Sequence, residues 1–148
     1  MNIKRFTDYS LRVLIYLALK ENELVTIKEV AERYKISKSH LMKVVQDLSS
    51  KGFIIATRGN NGGIRLSREP EQINIGQLVR MVEEDSVLLE CFGADNQCVI
   101  TPACQLKQMF AEAMDSFFSC LEQYTLADML SGSRRAELKS LLILSDTE

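Results

Sequence analysis

At 148 residues, 46% hydrophobic and 26% charged, with a net charge of -2, the chain has the composition of one ordinary globular core or one core with a dimerising extension. The longest apolar stretch, Val13 to Leu19, lies between Arg12 and Lys20, which excludes a membrane-spanning helix of about eighteen apolar residues. Lys4 and Arg5 are followed by Asp8 and by no small-residue cleavage site, so no secretory signal is expected and the expected compartment is the cytoplasm. Thiols stay reduced there, which turns the four cysteines towards metal binding, catalysis or redox sensing and away from a disulfide framework.

The charges are unevenly placed. Residues 1–80 hold 14 Lys+Arg against 8 Asp+Glu, whereas residues 81–148 hold 4 against 12. A basic half joined to an acidic half suits a polyanion-binding module carrying something that stays off the polyanion.

Along the basic half, Asp8 precedes an amphipathic run with Leu11, Leu14, Ile15, Ala18 and Leu19 at helical spacing. Thr26-Ile-Lys-Glu29 has the form of a capping box, the Thr hydroxyl covering the Glu29 amide and the carboxylate reaching back. A short helix with Ile27, Val30 and Ala31 on one face follows. Ser37 is a favoured N-cap for the next helix, in which Leu41, Val44, Val45 and Leu48 repeat until Gly52. Two short helices joined by a tight turn after a first helix predict a helix-turn-helix, whose second helix enters the major groove by its N-terminal end. Lys38, Ser39, His40 and Lys43 occupy that end and carry donors for phosphates and base edges. The β-prone runs Phe53–Arg58 and Ile64–Ser67, separated by Gly59-Asn60-Asn61-Gly62-Gly63, predict a hairpin and thus a wing. Arg58 is placed to enter a minor groove or clamp phosphate. Asn60, Asn61 and the glycines permit positive φ and close approach of the backbone to a duplex.

In the acidic half, Ile75, Leu78, Val79 and Val82 mark another short helix. Then come Cys91, Cys98 and Cys104, with six and five residues between them in a segment containing Gly, Asp and Asn, gaps that close at modest entropic cost. A metal centre or ordinary small apolar residues both fit this pattern. Structural zinc sites use closer cysteine pairs, and the spacing also differs from ferredoxin runs. No base stands near the trio to activate a nucleophile, which argues against a cysteine enzyme. Thr101-Pro102 predicts the N-cap and first residue of a long helix of about two dozen residues, roughly 30 to 35 Å, with Cys104 in its first turn, where the helix dipole favours a thiolate. Its stripe of Leu106, Met109, Phe110, Ala113, Phe117, Cys120, Leu121 and Tyr124 needs a partner, and a second copy of the helix is the expected one. Cys120 and Met109 read as packing residues there. Thr125-Leu-Ala-Asp128 forms a second capping box, and Arg134 to Leu144 a terminal helix with a frayed end. The expected fold is therefore mainly α with a small β-hairpin wing. Residues 1–84 form a winged helix-turn-helix, 85–104 a cysteine-bearing loop, and 105–148 a dimerisation helix and helical tail.

Phe6-Thr-Asp8-Tyr-Ser-Leu-Arg-Val-Leu14, the helix-turn-helix, the wing Arg58-Gly-Asn-Asn-Gly-Gly-Ile-Arg-Leu66 and the cysteine trio together resemble the winged-helix iron-sulfur transcription regulators, the family that includes IscR and NsrR. The segment Cys98-Val-Ile-Thr-Pro-Ala-Cys-Gln-Leu-Lys107, with Tyr124-Thr-Leu-Ala-Asp128, is similar to the nitric-oxide-sensing repressors of the NsrR branch. The resemblance implies a homodimeric repressor of double-stranded operator DNA. It implies an iron-sulfur cluster, 2Fe-2S or 4Fe-4S, held by Cys91, Cys98, Cys104 and Asp8 of the partner subunit, with nitric oxide as the signal that releases DNA. Lys107 stands where IscR-like members carry a histidine ligand. The same architecture could instead sense iron-sulfur status, iron or redox stress.

Overall fold

Residues 2–142 are described by the structure, a computed structural model. Helix α1 (Arg5–Leu19) starts before Asp8, because the Lys4 amide that precedes it is taken by the Glu83 carboxylate at 2.8 Å. Its inner face buries Leu14, Ala18 and Leu19 of the expected stripe together with Val13, Tyr16 and Leu17, whereas Leu11 and Ile15 are only half-buried. Helix α2 (Ile27–Tyr34) is capped by the Thr26 hydroxyl, which accepts from the Glu29 amide at 3.1 Å. The reciprocal half of the expected capping box is not made. The Glu29 carboxylate turns inward to accept from the hydroxyl of fully buried Tyr16, which burial would otherwise leave unsatisfied. Lys35 closes α2 in the left-handed region, and Ser37 caps α3 (Lys38–Ser50) by accepting from the His40 amide at 3.3 Å. Leu41, Val44, Val45 and Leu48 bury the inner face of α3 against α1 and α2, which completes the helix-turn-helix.

Gly52, at φ +86, takes the positive φ that lets the chain leave α3 for the hairpin. Strands β1 (Ile54–Thr57) and β2 (Gly63–Leu66) pair antiparallel, Ile54 opposite Leu66 and Thr57 opposite Gly63. The base of this wing is tied to the α1–α2 connection, because Val25 and Ile64 exchange both backbone hydrogen bonds, at 3.0 and 2.7 Å. A Cβ on Gly63 would lie 2.8 Å from the Val25 carbonyl oxygen, so only glycine fits that close approach.

Helix α4 (Ile75–Val82) begins at Asn74, whose side chain accepts from the Gln77 amide and donates to the Glu122 carbonyl. The cysteine segment that follows contains only two single 3-10 turns, Glu90–Phe92 and Thr101–Ala103. Helix α5 spans Leu106–Leu121, 16 residues or about 24 Å, not two dozen. The expected start at Thr101 fails because the Thr101 hydroxyl is already engaged. It donates to the Cys98 carbonyl at 2.8 Å and accepts from the Asn96 amide at 2.9 Å, so it caps no helix. Its expected end gives way to a new start, because Thr125 and Asp128 form the predicted capping box on a 3-10 turn, Leu126–Leu130. Helix α6 (Arg134–Leu141) follows. The rest of the predicted terminal helix and its frayed end fall in 143–148, outside the described residues. Leu126, Leu130 and Leu142 join the same core as α1 to α4, so the chain returns to the winged helix after α5.

Candidate nucleic-acid interface and metal centre

Lys38, Ser39 and Lys43 are exposed on α3, together with Met42 at 52% exposure, so the N-terminal half of this helix presents an open polar face with one apolar contact. His40 differs from them. It is half-buried, its ring meeting Tyr9 of α1 edge-on at 4.8 Å between centroids. In the wing, Arg58, Asn60 and Asn61 are exposed at the tip. Positive φ occurs at Gly59 (+110), but the expected positive φ at Asn60 and Asn61 does not occur. The Gly62 amide closes onto the Gly59 carbonyl at 3.0 Å, a turn whose two central residues need no left-handed backbone. Glycine is needed at position 62, because a Cβ would stand 2.2 Å from the Thr57 carbonyl oxygen. Arg68 lies over the Phe53 ring and donates to the Gly52 carbonyl at 3.1 Å, bracing the base of the wing.

Asp8 sits in the first turns of α1, on a face that leaves its side chain 48% exposed. Its two carboxylate oxygens accept a fork of hydrogen bonds from Arg12 Nε and Nη2, at 3.0 and 2.9 Å. Asp8 holds the Arg12 guanidinium above its ordinary pKa, through this hydrogen bond above all. The guanidinium also lies over two aromatic rings, 5.4 Å from Tyr9 and 5.9 Å from Tyr34, and the Tyr34 hydroxyl donates to the Arg12 carbonyl at 2.9 Å. Burial pushes the Tyr34 hydroxyl up to about 12, so it stays a donor across the physiological range. No pairing of Asp8 with Arg12 was expected above, although their i,i+4 spacing is a local signal for one.

The thiols of Cys91, Cys98 and Cys104 are free; Cys91 and Cys104 are half-buried and Cys98 is exposed. Side chains of the segment itself fix its middle. The Asn96 side-chain oxygen accepts from the Cys98 amide at 3.0 Å, and the Glu90 carboxylate accepts from the Gln97 amide at 2.7 Å. Cys104 does not lie in the first turn of a helix. It follows the Thr101–Ala103 turn in extended backbone (φ -90, ψ 129), so the expected dipole effect on its thiol loses its geometric basis. Among the described residues of one chain, no three His, Cys, Asp or Glu side chains gather as a ligand set, and Asp8 belongs to a different element from the trio. The donor chemistry nevertheless suits iron and sulfide: three unpaired thiols on one segment, and a carboxylate open to solvent.

The sequence pattern of the Rrf2 family, described as iron-dependent transcriptional regulators, matches residues 3–132. The chain belongs to the Rrf2 family. It is 50% identical over 132 residues to the HTH-type transcriptional regulator NsrR of Bacillus licheniformis, an alignment covering 88% of this chain and 92% of that protein. It is 49% identical over 144 residues to NsrR of Oceanobacillus iheyensis, covering 96% and 97%. Among solved structures, IscR of T. potens superposes with a TM-score of 0.70 at 27% identity, covering 93% of this chain and 91% of that one. The oxidised form of Staphylococcus aureus CymR superposes at 0.67 and 26%, covering 89% and 98%. The chain is thus a DNA-binding transcriptional regulator of the NsrR type, with the winged-helix fold of its family, and not an enzyme.

Two further features of this Rrf2 protein were missed by sequence reasoning. Glu83, at the end of α4, is buried and accepts from the Lys4 amide, the Thr7 hydroxyl and the Ser86 hydroxyl, while the Lys4 ammonium pairs with Asp85. Burial alone would raise the Glu83 carboxyl, but Ser86, Thr7 and Lys4 together hold it below its ordinary value. This knot ties the start of α1, and so the turn bearing Asp8, to the start of the cysteine segment. No local pattern announces it, since 76 residues separate Thr7 from Glu83. The second feature is an open apolar groove of about 560 Å³ beside it, lined among others by Ile3, Val87, Leu88, Phe110, Met114 and Phe117. On α5, Leu106 and Met109 are more than half exposed, and Cys120 is exposed too. Among the described residues no helix is long and apolar enough to cross a membrane.

Proposed function

We propose that this regulator is a homodimeric repressor. In this reading it grips operator DNA with Lys38, Ser39 and Lys43 of α3 and with Arg58, Asn60 and Asn61 of the wing, while His40, half-buried against Tyr9, stands apart from the expected set of contacts. Cys91, Cys98 and Cys104 hold an iron-sulfur cluster, 2Fe-2S or 4Fe-4S, completed by Asp8 of the partner subunit, and nitric oxide is the signal that ends repression. The observation that carries the reading is the set of three free thiols on one short segment, in a chain whose half-identical relatives bear the name NsrR. Among the described residues of one chain no three such donors gather, and Asp8 stands on α1, outside the cysteine segment, so the reading takes its carboxylate from a second chain. The exposed apolar row of α5 supports a second copy as the partner, because two-fold dimers bury the same patch twice.

When bound, such a cluster supplies one iron with a carboxylate oxygen ligand, a replaceable position for nitric oxide. The chain's own part is mechanical. Asp8 stands on the first helix of the DNA module, so drawing its carboxylate towards the partner's cysteines fixes the spacing of two α3 helices across a two-fold operator. A switch from 99:1 to 1:99 occupancy requires the two states to differ in DNA affinity by about ten-thousand-fold, some 5.5 kcal/mol. Two recognition helices moved out of register together can provide a difference of that size.

The test is iron and sulfide content of anaerobically prepared protein, followed by titration of its DNA complex with nitric oxide, superoxide or a chelator. Stoichiometric iron and sulfide, with release at stoichiometric nitric oxide, is expected. Release by chelator or superoxide alone would assign the same architecture to iron or redox sensing. In Asp8→Ala, unchanged cluster stability and nitric oxide response would place the fourth ligand elsewhere.

A further inference from the structure

Tyr9 follows Asp8 directly in α1, and its ring touches two different parts of the molecule. The Arg12 guanidinium, forked onto Asp8, stands 5.4 Å from the ring centroid. The His40 ring meets Tyr9 edge-on, 4.8 Å between centroids at an interplanar angle of 65°. His40 lies in the first turn of α3, its amide held by the Ser37 cap. Asp8, Arg12, Tyr9 and His40 therefore form one unbroken line of half-buried groups, from a candidate metal ligand to the end of the helix presented to DNA.

The physics of this line depends on the carboxylate. With Asp8 in place, two charge-assisted hydrogen bonds fix the plane of the guanidinium between the Tyr9 and Tyr34 rings. With Asp8 drawn away, the cation keeps only the ring faces and water, and Arg12 is free to re-orient against Tyr9. Edge-to-face packing is directional, so a tilt of the Tyr9 ring is felt at His40.

We infer that Tyr9 is a positioning residue that passes the state of Asp8 to α3 through His40, and that His40 receives this contact instead of reading a base edge. The inference rests on the assignment of Asp8 as a cluster ligand made above. It predicts a coupling between cluster binding and DNA binding that can be removed without removing either.

The experiment uses the full chain and a duplex selected by the wild-type holoprotein from a randomised pool. Iron and sulfide content and the affinity for that duplex are measured with the cluster present and after it is stripped. In Tyr9→Leu, iron and sulfide content and cluster-free affinity stay at wild-type values, while the ratio of the two affinities falls to within about threefold of unity. Tyr9→Phe keeps the ring and retains the wild-type ratio. His40→Phe keeps an aromatic edge and also retains it, whereas a base-reading histidine would lose affinity equally in both states. A wild-type ratio in Tyr9→Leu, or equal losses in His40→Phe, overturns the inference. If Tyr9→Leu fails to fold, His40→Leu takes its place with the same expectation. A wild-type protein that holds no cluster, or whose affinity ignores it, overturns the assignment of Asp8 and the inference together, and this outcome is read from the wild-type arm alone.

Discussion

The winged-helix half and the cysteine segment of this protein are built on opposite principles. In the first, each of α2, α3 and α4 has a side-chain N-cap, from Thr26, Ser37 and Asn74, and Leu14, Leu41, Leu48 and Leu78 are fully buried in one core. In the second, two single 3-10 turns stand on a few bonds among Glu90, Asn96, Thr101 and their neighbours, and Val99 is 90% exposed. The surface proposed to face DNA is finished when one chain folds. The cysteine segment has little burial to hold it, and elements of that kind are the ones that respond to ligands.

The largest test of this contrast is Cys98→Ser. Cys98 is exposed and fills no core, so the substitution should leave the melting temperature of the metal-free protein within a degree or two while abolishing iron binding and with it the regulated part of DNA affinity, about 5.5 kcal/mol if the switch is complete. Calorimetry of the metal-free proteins and a DNA titration of the iron-loaded preparations check both halves. A large fall in melting temperature would mean that the segment is part of the core after all.

Leu48→Ala probes the other region. Leu48 is fully buried between α3 and the core, and truncation should cost about 2 to 5 kcal/mol in urea unfolding of the metal-free protein. Iron content per folded chain should not change. Next in size, Lys43→Ala and Arg58→Ala should each weaken DNA binding by about 1 to 3 kcal/mol, and a phosphate contact would also lower the salt slope by about one. Both residues are exposed, so neither change should alter stability, and unchanged affinity and salt slope would remove them from the interface.

The two halves were also unequally legible. Thr26, Ser37 and the spacing of Leu41, Val44, Val45 and Leu48 announce helices because caps and periodicity are local properties. The wing was legible from its glycines, two of which are compelled by backbone approaches at Gly62 and Gly63. The errors arose where a local signal met a non-local competitor. Thr101 has the composition of an N-cap, but its hydroxyl serves Asn96 and Cys98, so α5 starts at Leu106 and Cys104 falls outside it. Glu29 has the position of a capping-box carboxylate, yet buried Tyr16 claims it. Cys91, Cys98 and Cys104 stand out by their spacing, but their reading as a ligand set, like that of Asp8, rests on resemblance; the Tyr9–His40 contact and the Glu83 knot join residues too far apart for any pattern to reveal.

Glu83 offers the finest test, because it is the joint between the two regions. Its carboxyl is held below its ordinary 4.5 in the folded chain, so the stability it contributes is fully present above 4.5 and is lost as the pH falls through the lower folded value. Glu83→Gln keeps the shape but exchanges hydrogen bonds to a charged acceptor for neutral ones, which should cost about 1 kcal/mol at neutral pH. The gap between the two proteins should then close as the pH is lowered through the acid limb, because wild-type Glu83 becomes neutral as well. Thermal unfolding of both proteins from neutral to acid pH measures the gap directly, and a constant gap would show that the knot acts through packing alone. If charge is the source, holoprotein carrying Glu83→Gln should also lose iron faster near neutrality. The start of α1 and the start of the cysteine segment would then be less firmly tied, and the two places from which the proposed ligands come would move independently.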